Sequence, residues 1–290
     1  MRIAVTAASG RLGGVTLDEL QNRVGRDGVI GVARDPKKIT TPDIEKRAGD
    51  YASVAGMAAA LAGIDTVVMI SAPVAGDSDR FALHQNVIAA AIKAGVRKVI
   101  YTSVIGDERV EATSFAPFMA INRDTEAALQ DSGLEWVIAR NGLYLDLDVL
   151  HIRHADSHGG VYHNNGGAGH CGYISIAELG FALAELATSD ECNASIVNLM
   201  GDTYTQAELV EFANQAFNLN VRYEPITLEQ NIARFMSDER IAARGKDVVS
   251  MLSGCFECIA AGGFDVKSDF ERATGRVMKS IPEQLAELGA

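Results

Sequence analysis

Short apolar runs alternate along the chain with longer stretches in which apolar residues recur every three or four positions. Ile3, Ala4 and Val5 form a run too short for a helix and without polar alternation, the pattern of a strand buried on both faces of a parallel sheet. Leu12, Val15, Leu17 and Leu20 then recur at helical spacing. Further runs at 28–33, 45–49, 66–70, 98–102 and 136–140 predict five more strands, of which the β-branched T-V-V-M-I of 66–70 is the clearest. Helical patterns separate them. One follows the 50–51 loop and runs to about residue 61; one over 80–94 carries Phe81, His84, Val87, Ile88, Ala91 and Ile92; one over 115–131 is closed by Gly133. This alternation predicts an α/β fold with a doubly wound, mostly parallel sheet of the Rossmann type.

Beyond residue 150 the alternation gives way to a glycine- and histidine-rich stretch with His151, His154, His158, His163 and His170. The first three are expected to share one helical face, but the spacing matches no compact metal-ligand set, so no metal site is assigned. Helices are predicted over 181–187 and 207–217, the latter opened by a capping box of Thr205 and Glu208, and short strands over 196–199 and 221–223. These are assigned to a smaller substrate-side lobe, 151–290, packed against and partly continuous with a dinucleotide-binding domain, 1–150. Helices within 228–261 are expected to pack over the acceptor site.

Composition narrows the classes. With 290 residues, 48% of them hydrophobic, the chain can bury a large core. A net charge of −12 disfavours direct contact with nucleic acid or an anionic membrane. No signal-peptide pattern precedes the first strand and no apolar run is long enough to span a bilayer, so a cytoplasmic protein is expected. Cys171, Cys192, Cys255 and Cys258 are too sparse for a secreted disulfide scaffold, and the lone Cys255-x-x-Cys258 pair reads as two free thiols.

The candidate chemistry begins where the first strand ends. Thr6 leads into A-A-S-G-R-L-G-G, in which Ala7, Gly10 and Gly13 occupy the three positions of a G-x-x-G-x-x-G turn entering a helix. Such a turn presents backbone N–H groups and a helix dipole to a pyrophosphate. Alanine at the first position is expected to require a negative φ. After the second strand the sequence reads V-A-R-D-P-K-K. An NAD site usually carries an acid there; Arg34 with Lys37 and Lys38 offers positive charge to a 2′-phosphate instead, so NADPH is favoured over NADH. Asp35 is the counter-argument, since it could face the ribose. Asp50 and Tyr51 fall in a loop suited to cover the adenine. Ser71, Ala72 and Pro73 end the fourth strand, and the turns 7–13 and 71–76 are expected to flank one cofactor at the switch point of the sheet. Thr102 and Ser103 would lie near the nicotinamide ribose.

Together, T-A-A-S-G-R-L-G-G, V-A-R-D-P, A-G-D-Y, H-Q-N-V-I-A-A-A-I-K-A-G-V, Y-T-S, D-T-E-A-A-L-Q-D-S-G-L and A-R-N-G-L-Y follow the order seen in the NmrA-like atypical short-chain dehydrogenases. The chain resembles above all the bacterial type 2 NADPH:quinone oxidoreductases and triphenylmethane reductases, over nearly its whole length. The resemblance implies that Ser9, Gly10, Arg11 and Leu12 touch pyrophosphate and Arg34 the 2′-phosphate, with Lys38 nearby. It places Ser71 to Pro73 on the nicotinamide side, and Asn141, Gly142 and Tyr144 in the pocket beside the ring. The family also contains redox-sensing regulators that bind the dinucleotide without known turnover.

One absence bears on the reaction. No Tyr has a Lys four residues later, so the Tyr–Lys acid pair of ordinary short-chain dehydrogenases is missing, and Asn122 stands where relatives with an acid–base residue carry Lys or His. An isolated ketone needs a proton as its alkoxide forms, whereas a quinone becomes a delocalised phenolate that water can protonate. The expectation is therefore an NADPH-dependent oxidoreductase passing hydride directly to a quinone-like or dye acceptor, with Asn122 and Tyr144 shaping the acceptor site. The expected partner is that small molecule, with a homodimer as the candidate assembly. The alternative is an NADP(H)-sensing regulator that turns nothing over.

Overall fold

The structure is a computed structural model that describes residues 1–73 and 79–289. Its centre is β1 (Ile3–Val5), flanked by β2 (Val29–Ala33) and β3 (Glu45–Ala48) on one side and β4 (Thr66–Met69), β5 (Lys98–Val104), β6 (Glu135–Asn141) and β10 (Ser195–Leu199) on the other. All seven run parallel, in the order β10-β6-β5-β4-β1-β2-β3.

The period-2 geometry of the strands divides their side chains between two helical layers. Val5, Val68 and Ile100 join Leu12, Leu17 and Leu20 of α1 (Arg11–Val24) and Leu179 and Leu183 of α6 (Ile176–Thr188). Ala4, Val67, Met69 and Tyr101 join Met57 of α2 (Val54–Ala60), Val87 and Ile88 of α3 (Arg80–Ala94) and Leu129 of α4 (Ala116–Gln130). Helix α6 lies close on α1 because Gly180 meets Val15; a Cβ there would come within 2.6 Å of the Val15 Cγ1.

The run at 196–199 was expected in the second lobe, but β10 pairs in register with β6, from Ser195 opposite Val137 to Leu199 opposite Asn141. Its Val197 and Leu199 are fully buried in the main core, which fixes the strand there rather than in a lobe of its own. The remaining C-terminal elements gather around a separate apolar cluster that includes Leu145, Tyr173, Leu209, Phe256, Phe264 and Leu285. They comprise α5 (Leu145–Asp156), a small sheet of β7 (Leu143–Tyr144), β9 (Cys171–Ile174) and β11 (Thr203–Tyr204), the parallel pair β8 (Val161–Asn164) and β12 (Arg222–Pro225), and helices α7 (Gln206–Phe217), α8 (Leu228–Ser237), α9 (Glu239–Ala242), α10 (Lys246–Ala260) and α12 (Ile281–Gly289), whereas α11 (Phe270–Thr274) buries Phe270 and Ala273 in the main core.

The histidines do not form one helical face. Helix α5 stops at Asp156, so His158 lies beyond it and stacks on His154 at 3.9 Å between ring centres. Among the described residues no helix is long and apolar enough to cross a membrane.

Candidate functional site

The strand order reverses between β1 and β4, because β1 leads through α1 to β2 while β4 leads through α3 to β5. Such a reversal opens a crevice at the carboxyl ends of the two strands. Thr6 ties its walls together: its N–H donates to the Val68 carbonyl at 3.0 Å and its Oγ1 accepts from the Ile70 N–H at 3.1 Å. The Tyr51 hydroxyl shares a hydrogen bond with Thr6 Oγ1 and donates to the Ile70 carbonyl at 2.6 Å. The Tyr51 hydroxyl is thus engaged within the protein. Asp50 is exposed and accepts from the Ala52 N–H at 3.0 Å, closing its own turn.

The turn after β1 departs from expectation at Ala7, whose φ is +50° rather than negative. The chain must reverse between Thr6, bound to β4, and Ala8, whose N–H donates to the Val32 carbonyl at 3.1 Å. The left-handed conformation achieves this, at a cost of about 1–2 kcal/mol for a residue with a Cβ. Gly10 donates to the Ala7 carbonyl at 2.9 Å. A Cβ on Gly13 would sit 2.6 Å from the Ala7 oxygen and 2.8 Å from the Ala8 Cα, so α1 rests directly on the turn. Gly10 caps α1 with no side-chain bond, and its first turn, beginning with exposed Arg11 and buried Leu12, has no acidic residue. The N–H groups there, beside exposed Ser9, meet an anion without competition. Arg11 reaches across to Asp146, with Nη2 3.2 Å from Oδ1.

Arg34 follows β2, is exposed, and has no ion-pair partner among the described residues. The Asp35 carboxylate caps the short turn Pro36–Lys38, accepting from the Lys37 N–H at 3.1 Å. Lys38 is exposed on the same turn.

On the opposite side, residues 71–73 are held from beneath, while 74–76 of the expected second turn lie outside the described residues. The Ser71 N–H donates to Thr102 Oγ1 at 2.9 Å, and the Ser71 hydroxyl donates to the Thr102 carbonyl. The Ala72 N–H donates to His84 Nε2 at 2.9 Å; Pro73 is exposed. His84 Nδ1 lies 2.9 Å from Thr125 Oγ1, which itself donates to the Ile121 carbonyl, so the ring is neutral with its proton on Nδ1. Burial and the nearby Arg80 charge pull its pKa down to about 3. His84 is a structural clamp. Because β5 runs on to Val104, Thr102 and Ser103 lie within the strand and are buried. Ser103 donates to Glu126 Oε1 at 2.5 Å, and Glu126 also holds Arg123 and Arg140. Both residues are buried and support the crevice from beneath.

Asn122 is 1% exposed and fully engaged on its oxygen, which accepts from Arg80 Nη2 at 3.2 Å and from the Tyr101 hydroxyl at 3.1 Å. Its Nδ2 donates to the Phe118 carbonyl at 2.9 Å. It therefore positions Arg80 rather than presenting an amide to an acceptor, a correction to its expected place in the acceptor site. Arg80 itself is 6% exposed, donates from Nε to the Ala72 carbonyl at 2.7 Å and lies 4.4 Å from the centre of the Phe118 ring. Tyr144 lies beside Asn141, and burial raises its pKa. Gly142 is confined by packing: a Cβ would meet the Gly172 carbonyl and Met200 Cβ at 2.9 Å.

Two buried polar atoms in this part of the site, Arg80 Nη1 and Asn141 Oδ1, have no partner among the described residues. One is a donor and the other an acceptor, and buried polar atoms are rarely left so. With the uncapped helix, the close approach at Gly13 and the unpaired Arg34, the crevice fits a dinucleotide whose phosphates lie on α1. Arg80 was not singled out by the sequence patterns. Its signal is its place: a cation in the first turn of a helix opposes the dipole and needs another reason to be there.

Comparison with known proteins agrees with this geometry. Residues 7–165 match the family described as NAD(P)H-binding. The chain is 26% identical to quinone oxidoreductase 2 of Escherichia coli, over 99% of this chain and 98% of that protein. It superposes on an NADPH-dependent quinone oxidoreductase of Escherichia coli, solved with NADPH, with a TM-score of 0.86 and 24% identity over 99% of this chain and 100% of that one. Triphenylmethane reductase of Citrobacter sp., solved with NADP(H), gives a TM-score of 0.86 and 25% identity over the whole of both chains. With the family model spanning more than half of its length and the phosphate turn lying inside the match, the chain belongs to the NAD(P)H-binding family.

Proposed function

We propose that the protein is an NADPH-dependent oxidoreductase that delivers hydride directly to a quinone-like or dye acceptor. The similarity to quinone and triphenylmethane reductases supports this class. The observation that carries the reading is electrostatic. Among the described residues around the carboxyl ends of β4 and β5, His84 is neutral down to about pH 3, Tyr51, Tyr101 and Tyr144 are raised by burial, Arg80 is a cation, and the Glu126 carboxylate is engaged by Ser103, Arg123 and Arg140. None of these releases a proton readily near neutral pH. A reaction that must protonate an alkoxide as it forms is poorly served there, and one that makes a delocalised anion is well served.

NADPH, when bound, supplies the hydride. The turn from Thr6 to Gly13 and the start of α1 hold the pyrophosphate, Arg34 selects the 2′-phosphate, and the 71–73 segment, fixed by Thr102 and His84, supports the nicotinamide side. Tyr144 and Asn141 border the acceptor. The test is NADPH oxidation, followed at its near-ultraviolet absorbance, against a panel of quinones and triphenylmethane dyes with an NADH control. Turnover preferring NADPH is expected. Tight NADPH binding with no turnover on any acceptor would replace the enzyme with a dinucleotide-sensing protein.

A further inference from the structure

We propose that the Arg80 guanidinium receives the negative charge that forms on the acceptor oxygen, with Nη1 as the hydrogen-bond donor, and that this makes carbonyl acceptors the preferred class over cationic dyes. The proposal rests on the reductase reading given above.

Arg80 is a cation held where cations are costly. It occupies the first turn of α3, against the helix dipole, and is 6% exposed. Among the described residues its partners are the Ala72 carbonyl, Asn122 Oδ1 and the face of Phe118, all neutral. A buried charge is normally paired, because the uncompensated charge loses its hydration. Here neutral groups fix the guanidinium, and Nη1 is buried without a partner among the described residues. The bond to Ala72 places the group at the carboxyl end of β4, on the nicotinamide side of the crevice, and its charge acts on the phenol of Tyr144. An anion that appears only during the reaction would supply the missing partner, which is the arrangement that lowers a barrier instead of merely tightening binding.

The chemistry balances without further reagents. The acceptor takes a hydride with its electron pair from C4 of the reduced nicotinamide, which is oxidised as that C–H bond breaks. The acceptor is reduced by two electrons, and the negative charge comes to rest on its oxygen, where Nη1–H stabilises it. Water then supplies one proton to give the neutral hydroquinone. A triphenylmethane cation instead becomes neutral on taking hydride. It develops no anion, and a buried guanidinium repels it on approach.

The test compares the wild type with Arg80→Gln and Arg80→Lys, using a neutral naphthoquinone and a cationic triphenylmethane dye, alongside NADPH affinity from cofactor fluorescence. Arg80→Gln should lower kcat for the quinone about 100-fold or more, leave NADPH affinity within about threefold, and lower dye turnover at least about tenfold less than quinone turnover; Arg80→Lys should retain part of the quinone rate. Equal losses on quinone and dye, or an unchanged quinone rate in Arg80→Gln, would overturn the proposal. A second measurement does not depend on turnover. 4-Nitrophenol, whose colour reports its ionisation, should bind the NADP⁺ complex of the wild type as the anion at a lower pH than it binds Arg80→Gln or Arg80→Lys. The same ionisation in all three would also overturn it. A wild type that oxidises no NADPH with any acceptor would instead sink the reductase reading, leaving the nitrophenol result to judge Arg80.

Discussion

The Asp35 carboxylate accepts a hydrogen bond from the Lys37 backbone N–H at 3.1 Å. That bond engages the acid next to Arg34 in capping a turn, and Arg34 itself is exposed with no ion-pair partner among the described residues. Replacing Arg34 with Ala should therefore weaken NADPH by roughly 10- to 100-fold, the worth of a hydrogen-bonded charge of about 1.5–3 kcal/mol, with NADH changed less than about threefold. Fluorescence titration of both cofactors measures this. Equal losses would remove the role assigned to Arg34.

Ala7 holds a positive φ of +50° where the chain turns between Thr6 and Ala8. Ala7→Gly should relieve about 1–2 kcal/mol of conformational strain against about 0.5–1 kcal/mol of added chain entropy, for a net gain of roughly 0.5–1 kcal/mol. Gly13→Ala should do the reverse, since its Cβ would fall 2.6 Å from the Ala7 oxygen. Urea unfolding of the two variants should move in opposite directions, and Gly13→Ala should lose NADPH binding while remaining folded.

Asn122→Ala removes the acceptor shared by Arg80 Nη2 and the Tyr101 hydroxyl, both buried. Leaving such donors unpaired should cost about 1–3 kcal/mol of stability. Because no bond links Asn122 to the phosphate turn, NADPH affinity should stay within about threefold, while quinone turnover falls. A variant with normal stability and normal turnover would show that Arg80 needs no such support.

The frame of the molecule was legible because its signals are local. Continuous β-branched runs, helical spacing and a glycine-rich turn each follow from a few consecutive residues, and the strands and helices of the first 141 residues lie where those patterns place them. What escaped was set by distant contacts. The run at 196–199 reads as a short strand anywhere, and only its pairing with β6 puts it in the main sheet. Thr102 and Ser103 read as polar residues at a strand end, but β5 continues to Val104 and Glu126 claims Ser103 from another helix. Arg80 gave a weak local signal, and its importance lies in Ala72, Asn122 and Phe118 converging on it from three segments.

Asp148 gives a pH signature with a definite sign. Its carboxyl is 7% exposed and accepts from the Tyr162 hydroxyl at 3.0 Å, a bond too weak to offset burial, which raises its pKa from 3.8 to about 6. Between those values the folded protein keeps a proton that the unfolded chain has shed. The Asp148 contribution to stability therefore falls as pH rises from about 4 to about 6 and is level above that, with a total loss of about 3 kcal/mol. Asp148→Asn keeps an oxygen for Tyr162 and cannot ionise. It should be more stable than the wild type by up to about 3 kcal/mol at pH 7 and nearly equal to it near pH 4. His84 contributes with the opposite sign: its folded pKa of about 3 lies below the ordinary 6.5, so stability is lost as pH falls from 6.5 towards 3. That loss is common to both proteins and cancels in their difference. Urea denaturation at a series of pH values between 4 and 7.5 isolates the Asp148 contribution, and a difference that stays constant across the series would mean that Asp148 is ionised throughout.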